Sequence, residues 1–100
     1  MVIIKEVNKE KRVYQNRKLM GTLRKFCCGV DLRLKNNPDV LFSILGVKFG
    51  DKKLEKCIEA LLSIEIPNVE LHWNFDYKTA TDNNLLMEYQ KSLKDLVNNK

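Results

Sequence analysis

The sequence predicts an α+β fold: a ferredoxin-like split βαβ sheet, in the order β-α-β-β-α-β, with an additional C-terminal helix. Three observations lead there. Residues 69–77 alternate apolar and polar side chains, residues 14–28 carry apolar side chains at helical spacing, and a turn at 36–39 separates two further strand-like runs. One hundred residues suffice for one core but not for two, so a single domain over residues 1–100 is expected.

The elements follow in order. VIIKEV at 2–7 reads as a short first strand, and NKEK at 8–11 as a polar connection. YQNRKLMGTLRKFCC at 14–28 reads as a basic amphipathic helix. At about 100° per residue, Leu19, Met20, Leu23, Phe26 and Cys27 fall on one arc. Arg17, Lys18, Arg24 and Lys25 fall on the opposite arc, with Gly21 and Cys28 between them. Gly29 stands where a glycine would close such a helix. VDLRLK at 30–35 alternates, with Val30, Leu32 and Leu34 on the apolar side, and NNPD at 36–39 supplies turn chemistry with Pro38 at its second position.

Residues 40–49 admit two readings. As a strand they pair back on 30–35 in a hairpin; as a helix they are capped by Asn37 and ended by Gly46. Their β-branched and aromatic content favours the strand. Asp51 then caps a helix over about 52–63, whose core stripe is Leu54, Cys57, Ile58, Leu61 and Leu62. The strand at 69–77 sets Val69, Leu71, Trp73, Phe75 and Tyr77 against Glu70, His72, Asn74 and Asp76. A final helix from Thr81 or Asp82 to Val97 buries Leu85, Leu86, Tyr89, Leu93, Leu96 and Val97. Right-handed crossovers would put both main helices on one face of the sheet.

Composition narrows the functional classes. The 44% apolar share suits a globular core and the 31% charged share suits solubility, without low complexity or repeats. No apolar run is long enough to cross a bilayer, the N-terminus has charges where a secretory signal needs apolar residues, and a cytoplasmic location is expected. The three cysteines form no framework for disulfides: Cys27 and Cys28 are adjacent, and a bridge between them would be strained. Reduced thiols are expected.

The net charge of +5 is uneven: residues 1–50 hold eleven Lys and Arg against four Asp and Glu, and residues 51–100 hold seven against nine. Every arginine lies in the first third, and arginine is the side chain suited to bidentate contact with phosphate or carboxylate. The candidate partner- or phosphate-binding residues are therefore Arg12, Arg17, Lys18, Arg24, Lys25, Arg33 and Lys35. The aromatics of 69–77 share a face with Val69 and Leu71 and belong to the core, which argues against base stacking on the sheet.

Catalytic and metal signatures are absent. There is no nucleophile elbow, phosphate loop or dinucleotide glycine pattern, and no cofactor is implied. Cys27, Cys28, Cys57 and His72 lack the C-x2-C spacing of a zinc site, and His72 with Glu70 supplies only two ligands. Beside Arg24 and Lys25, Cys28 would gain thiolate character, but the negative end of the helix would oppose it, and a structural or merely tolerated thiol is expected rather than a nucleophile. Three functions are ranked on this basis. The first is a small non-catalytic regulatory protein, an adaptor or inhibitor acting on a protein partner. The second is a nucleic-acid-binding module gripping backbone phosphates through the helix at 14–28. The last is a small enzyme built on His72 and an acidic neighbour. A homodimer through a sheet edge is compatible with strands that contain no proline.

Overall fold

Two asparagines decide the N-terminal half of the molecule. Asn8 and Lys9 have φ of 52° and 67°, and Asn16 and Arg17 have 52° and 65°. Left-handed backbone at both positions of a two-residue connection matches the twist of an antiparallel hairpin, and asparagine tolerates that conformation better than most residues. The chain reverses at both places. The computed structural model, which describes residues 2–66 and 70–98, therefore begins with strands β1 (Val2–Val7), β2 (Glu10–Gln15) and β3 (Lys18–Phe26). A third two-residue loop, Cys27–Cys28, leads into β4 (Gly29–Leu34), and the turn at Pro38 leads into β5 (Val40–Leu45). Helix α1 (Lys52–Leu62) then crosses to β6 (Leu71–Asp76), followed by the short α2 (Tyr77–Thr81) and by α3 (Asn83–Asn98).

The six strands form one mixed sheet in chain order, β1-β2-β3-β4-β5-β6. All neighbours are antiparallel except β5 and β6, which run parallel across the α1 connection. The α+β class stands; the ferredoxin-like split βαβ arrangement does not. The overturning element is 14–28, which is no helix but the end of β2, a hairpin turn and all of β3. Its apolar spacing fits a helical arc by coincidence. Gly21 in the middle disfavours a helix by about 1 kcal/mol, whereas β3 uses it for close approach: a Cβ there would collide with the Arg33 carbonyl oxygen. Gly29 caps nothing. It opens β4, where a Cβ would collide with the Ile44 carbonyl oxygen.

The polar connection expected at 8–11 shortens to Asn8–Lys9, with Glu10 and Lys11 in β2, and the segment read over 40–49 is strand only to Leu45; the other boundaries agree closely. The first strand, the hairpin of 30–35 with 40–45, and the Pro38 turn closed by Val40 N–H to Asn37 O at 3.0 Å are all present. Asp51 caps α1, its carboxylate accepting from Lys53 N–H at 3.1 Å. Asp76 ends β6 and caps α2, which the sequence reading did not separate from the strand, and Asp82 caps α3 by accepting from Asn84 N–H at 3.0 Å. Val69, and the side chains of Leu96 and Val97, lie outside the described residues.

One face of the sheet is apolar and carries the helices. Along each strand alternate residues share a face, and the register brings Val13, Leu23, Val30, Leu32, Phe42, Ile44 and Phe75 to the same one. Against them pack Leu54, Cys57, Ile58 and Leu61 of α1 and Leu86 of α3, all buried. Leu62, expected in the stripe, is only partly buried. Phe42 meets Phe75 edge to face at 5.6 Å, and Trp73 and Tyr89 extend the aromatic cluster with centroids 5.0 Å apart. Such geometry adds about 0.5–1.5 kcal/mol per pair to simple burial. Among the described residues, no helix is long and apolar enough to cross a membrane.

Candidate functional site on the open face of the sheet

The same pleat that sends the apolar side chains toward the helices sends a polar set the other way. Register aligns Lys5, Arg12, Thr22, Arg33, Leu41 and His72 in one cross-strand row on the opposite face, one residue from each strand. With strands about 4.8 Å apart, that row is ~24 Å long. A second row runs Arg24, Asp31, Ser43, Asn74, and a third runs Ile3, Tyr14, Leu19. Arg24 is thus the diagonal neighbour of both Arg12 and Arg33, about 7–8 Å away between backbones. Three arginines on three adjacent strands share one uncovered surface.

The seven basic residues marked in the sequence separate into groups. Arg12, Arg24 and Arg33 come together here. Arg17 lies in the β2–β3 turn and Lys18 opens β3, while Lys35 follows β4 and its N–H meets Met20 O at 2.9 Å, toward that same end of the sheet. Lys25 pairs with Val30, so it points to the other face and stays out of the cluster. Lys5 and Tyr14, not marked in the sequence, join the cluster through register: neither 2–7 nor 10–15 alternates apolar with polar residues, so no local pattern points to these two side chains.

The arginines are held differently. Arg12 Nε donates to Glu10 Oε1 at 3.3 Å. The Tyr14 side chain foremost, and then Glu10, raise its guanidinium above the ordinary value. Arg33 Nη1 donates to the Pro38 carbonyl at 2.6 Å, tying β4 to the turn that follows it. Arg24 forms no ion pair among the described residues. Lys5 Nζ sits 5.7 Å from the Tyr14 ring centroid, a cation over an aromatic face on the same surface. At the β6 side an open groove of about 470 Å³ is lined by Arg33, Asp39, Leu41, Glu70, Leu71 and His72.

A polar tie crosses the second row. Ser43, 4% exposed, donates its hydroxyl to Asp31 Oδ1 at 2.7 Å, and its Oγ lies 2.7 Å from His72 Nε2. One hydroxyl has one proton. Because that proton goes to the carboxylate, the imidazole donates to the hydroxyl oxygen through Nε2–H. The order is carboxylate, hydroxyl, imidazole. In nucleophilic catalysis the imidazole stands in the middle and accepts the hydroxyl proton. Here the arrangement links β4, β5 and β6 instead. The acidic neighbour of His72 is reached through Ser43 and is Asp31, not Glu70. Among the described residues, no cluster of three or more His, Cys, Asp or Glu is placed to hold a metal ion.

The thiols divide as well. Cys57 is buried in α1, and burial pushes its thiol up to about 11. Cys27, read as a core residue, is exposed with Cys28 on the β3–β4 loop, their Sγ atoms 3.3 Å apart. The hydrogen bond shared with Cys27 favours the protonated Cys28 thiol and raises it, against the thiolate character that Arg24 and Lys25 implied. No protein-family model matches this chain, and neither a curated protein nor a solved structure shows significant similarity to it.

Proposed function

We propose that this chain is a non-catalytic binding module, an adaptor or inhibitor, whose open sheet face docks a protein partner presenting acidic side chains. The observation that carries this reading is the cluster of Arg12, Arg24 and Arg33 on adjacent strands of the uncovered face. Ile3, Tyr14, Leu19 and Leu41 interleave with them, and Ile3 is 49% exposed. Arginine and tyrosine among aliphatic side chains is the composition of protein-binding hot spots. Glu10 and Asp31 on the same face, and Glu70 beside the groove, suit a partner of mixed charge better than a polyphosphate. Trp73 and Phe75, which could have stacked bases, face the helices.

The exposed thiols suit a reducing compartment, which supports a cytoplasmic location. β1 is an edge strand, which supports self-pairing of two copies as a route to a homodimer.

The test is affinity capture from the native host, with and without nuclease, using the chain and a triple variant, Arg12→Glu, Arg24→Glu and Arg33→Glu. A stoichiometric protein that survives nuclease and is lost from the triple variant, with its circular dichroism unchanged, is the expected result. Retention by the variant overturns the reading. Loss with nuclease, together with duplex binding that falls steeply with salt, replaces it with contact to backbone phosphates.

A further inference from the structure

We propose that Cys27 and Cys28 form a two-thiol chelating site for a monosubstituted trivalent arsenical. The two residues are the whole of the β3–β4 loop, closed by the Phe26–Gly29 pair, so their backbones are fixed by the sheet on either side. Both side chains are exposed, and their Sγ atoms stand 3.3 Å apart.

That separation discriminates among soft centres. With metal–sulfur bonds of about 2.3 Å, one atom bridging sulfurs 3.3 Å apart subtends an angle of about 92°. A tetrahedral centre with the same bonds needs sulfurs about 3.8 Å apart, and a linear one about 4.6 Å. Trivalent arsenic is pyramidal, with three bonds set near right angles. The coordination number agrees. Zinc sites take three or four protein ligands, and no third His, Cys, Asp or Glu joins this pair among the described residues. An arsenical with one organic substituent needs two thiols only. A cavity of about 180 Å³ beside the sulfurs is lined by Lys25, Phe26, Gly46, Val47 and Lys48 as well, which gives an aryl substituent an apolar wall.

The competing fate of the pair is a disulfide. Adjacent Cα atoms are about 3.8 Å apart, short of the usual 4.4–6.8 Å span of a bridge, so a disulfide here is strained and readily reduced. The dithiol is the lasting form. Chelation needs no oxidant: the arsenical enters as its dihydroxide, two arsenic–oxygen bonds break, and two arsenic–sulfur bonds form. The two thiol protons leave with the hydroxides as two waters. Arsenic stays trivalent.

The experiment titrates the reduced full-length chain with phenylarsine oxide, followed by native mass spectrometry. One equivalent should bind, and Cys27→Ser and Cys28→Ser should each weaken binding about a hundredfold or more, since the second bond is then lost. Both positions are exposed loop sites, and circular dichroism checks that each variant folds. Cys57→Ser should keep the adduct. A small dithiol should strip the arsenical at concentrations where a monothiol does not. Failure of the wild-type chain to form a one-to-one adduct overturns the proposal. So does undiminished affinity in either loop variant, an adduct on Cys57, or equal stripping by the monothiol.

Discussion

The two faces of the sheet are made by the same strands and differ in almost every other respect. The covered face is aliphatic and aromatic, and its side chains interlock with α1 and α3. The open face spaces arginine, lysine and tyrosine among aliphatic residues and secures its interior with a hydrogen-bonded tie. One face is constrained by volume, so each side chain there serves the fold. The other is constrained by register alone, which fixes where side chains stand and leaves their chemistry available to a partner.

Four sets of changes sharpen that contrast. The largest effect belongs to the covered face: Phe42, fully buried against Phe75, should cost about 4 kcal/mol on Phe42→Ala. That is a large part of the roughly 5–15 kcal/mol that holds such a domain together, and urea denaturation would show it. The three arginine changes on the open face should stay within about 0.5 kcal/mol each; a cooperative loss of structure there would break the comparison.

Ser43→Ala should fall between, at about 1–2 kcal/mol, because it leaves Asp31 and His72 without their shared partner. The smallest effect is acid dependence at Asp76. The Thr79 backbone N–H lowers this carboxyl below its ordinary value of 3.8. Its contribution is complete above that value and is lost as pH falls through the lower folded value. Asp76→Asn should flatten the corresponding part of a stability profile recorded between about pH 5 and pH 2.

The contrast also separates what was legible in the sequence from what was not. Strand β4, the Pro38 turn, the Asp51 cap and the inward aromatics of β6 were readable because each has a local cause: strict alternation, a proline, a capping carboxylate. The error at 14–28 arose where two periods were both satisfied by the same residues. Leu19, Leu23 and Phe26 fit a helix, yet Val13 and Leu23 fit two strands joined by a turn whose second residue is arginine rather than glycine. Asn8-Lys9 and Asn16-Arg17 were the available signals, weaker than Asn-Gly because only one residue of each pair favours positive φ. The candidate site suffered for the same reason. Its arginines were recognisable by type, but their grouping depends on strand register, which no single segment contains.

The strand order has a temporal consequence. A sheet whose spatial order is its chain order can assemble in the direction of synthesis, each strand finding its predecessor already at hand. Five of the six strands are complete by Leu45, before any residue of α1 has emerged. During that interval Val13, Leu32, Phe42 and Ile44 have strands around them and no helix over them. The nascent sheet is therefore sticky on one side until α1 and α3 arrive. Premature termination between residues 46 and 51 should yield a fragment that recruits chaperones or aggregates rather than one that binds.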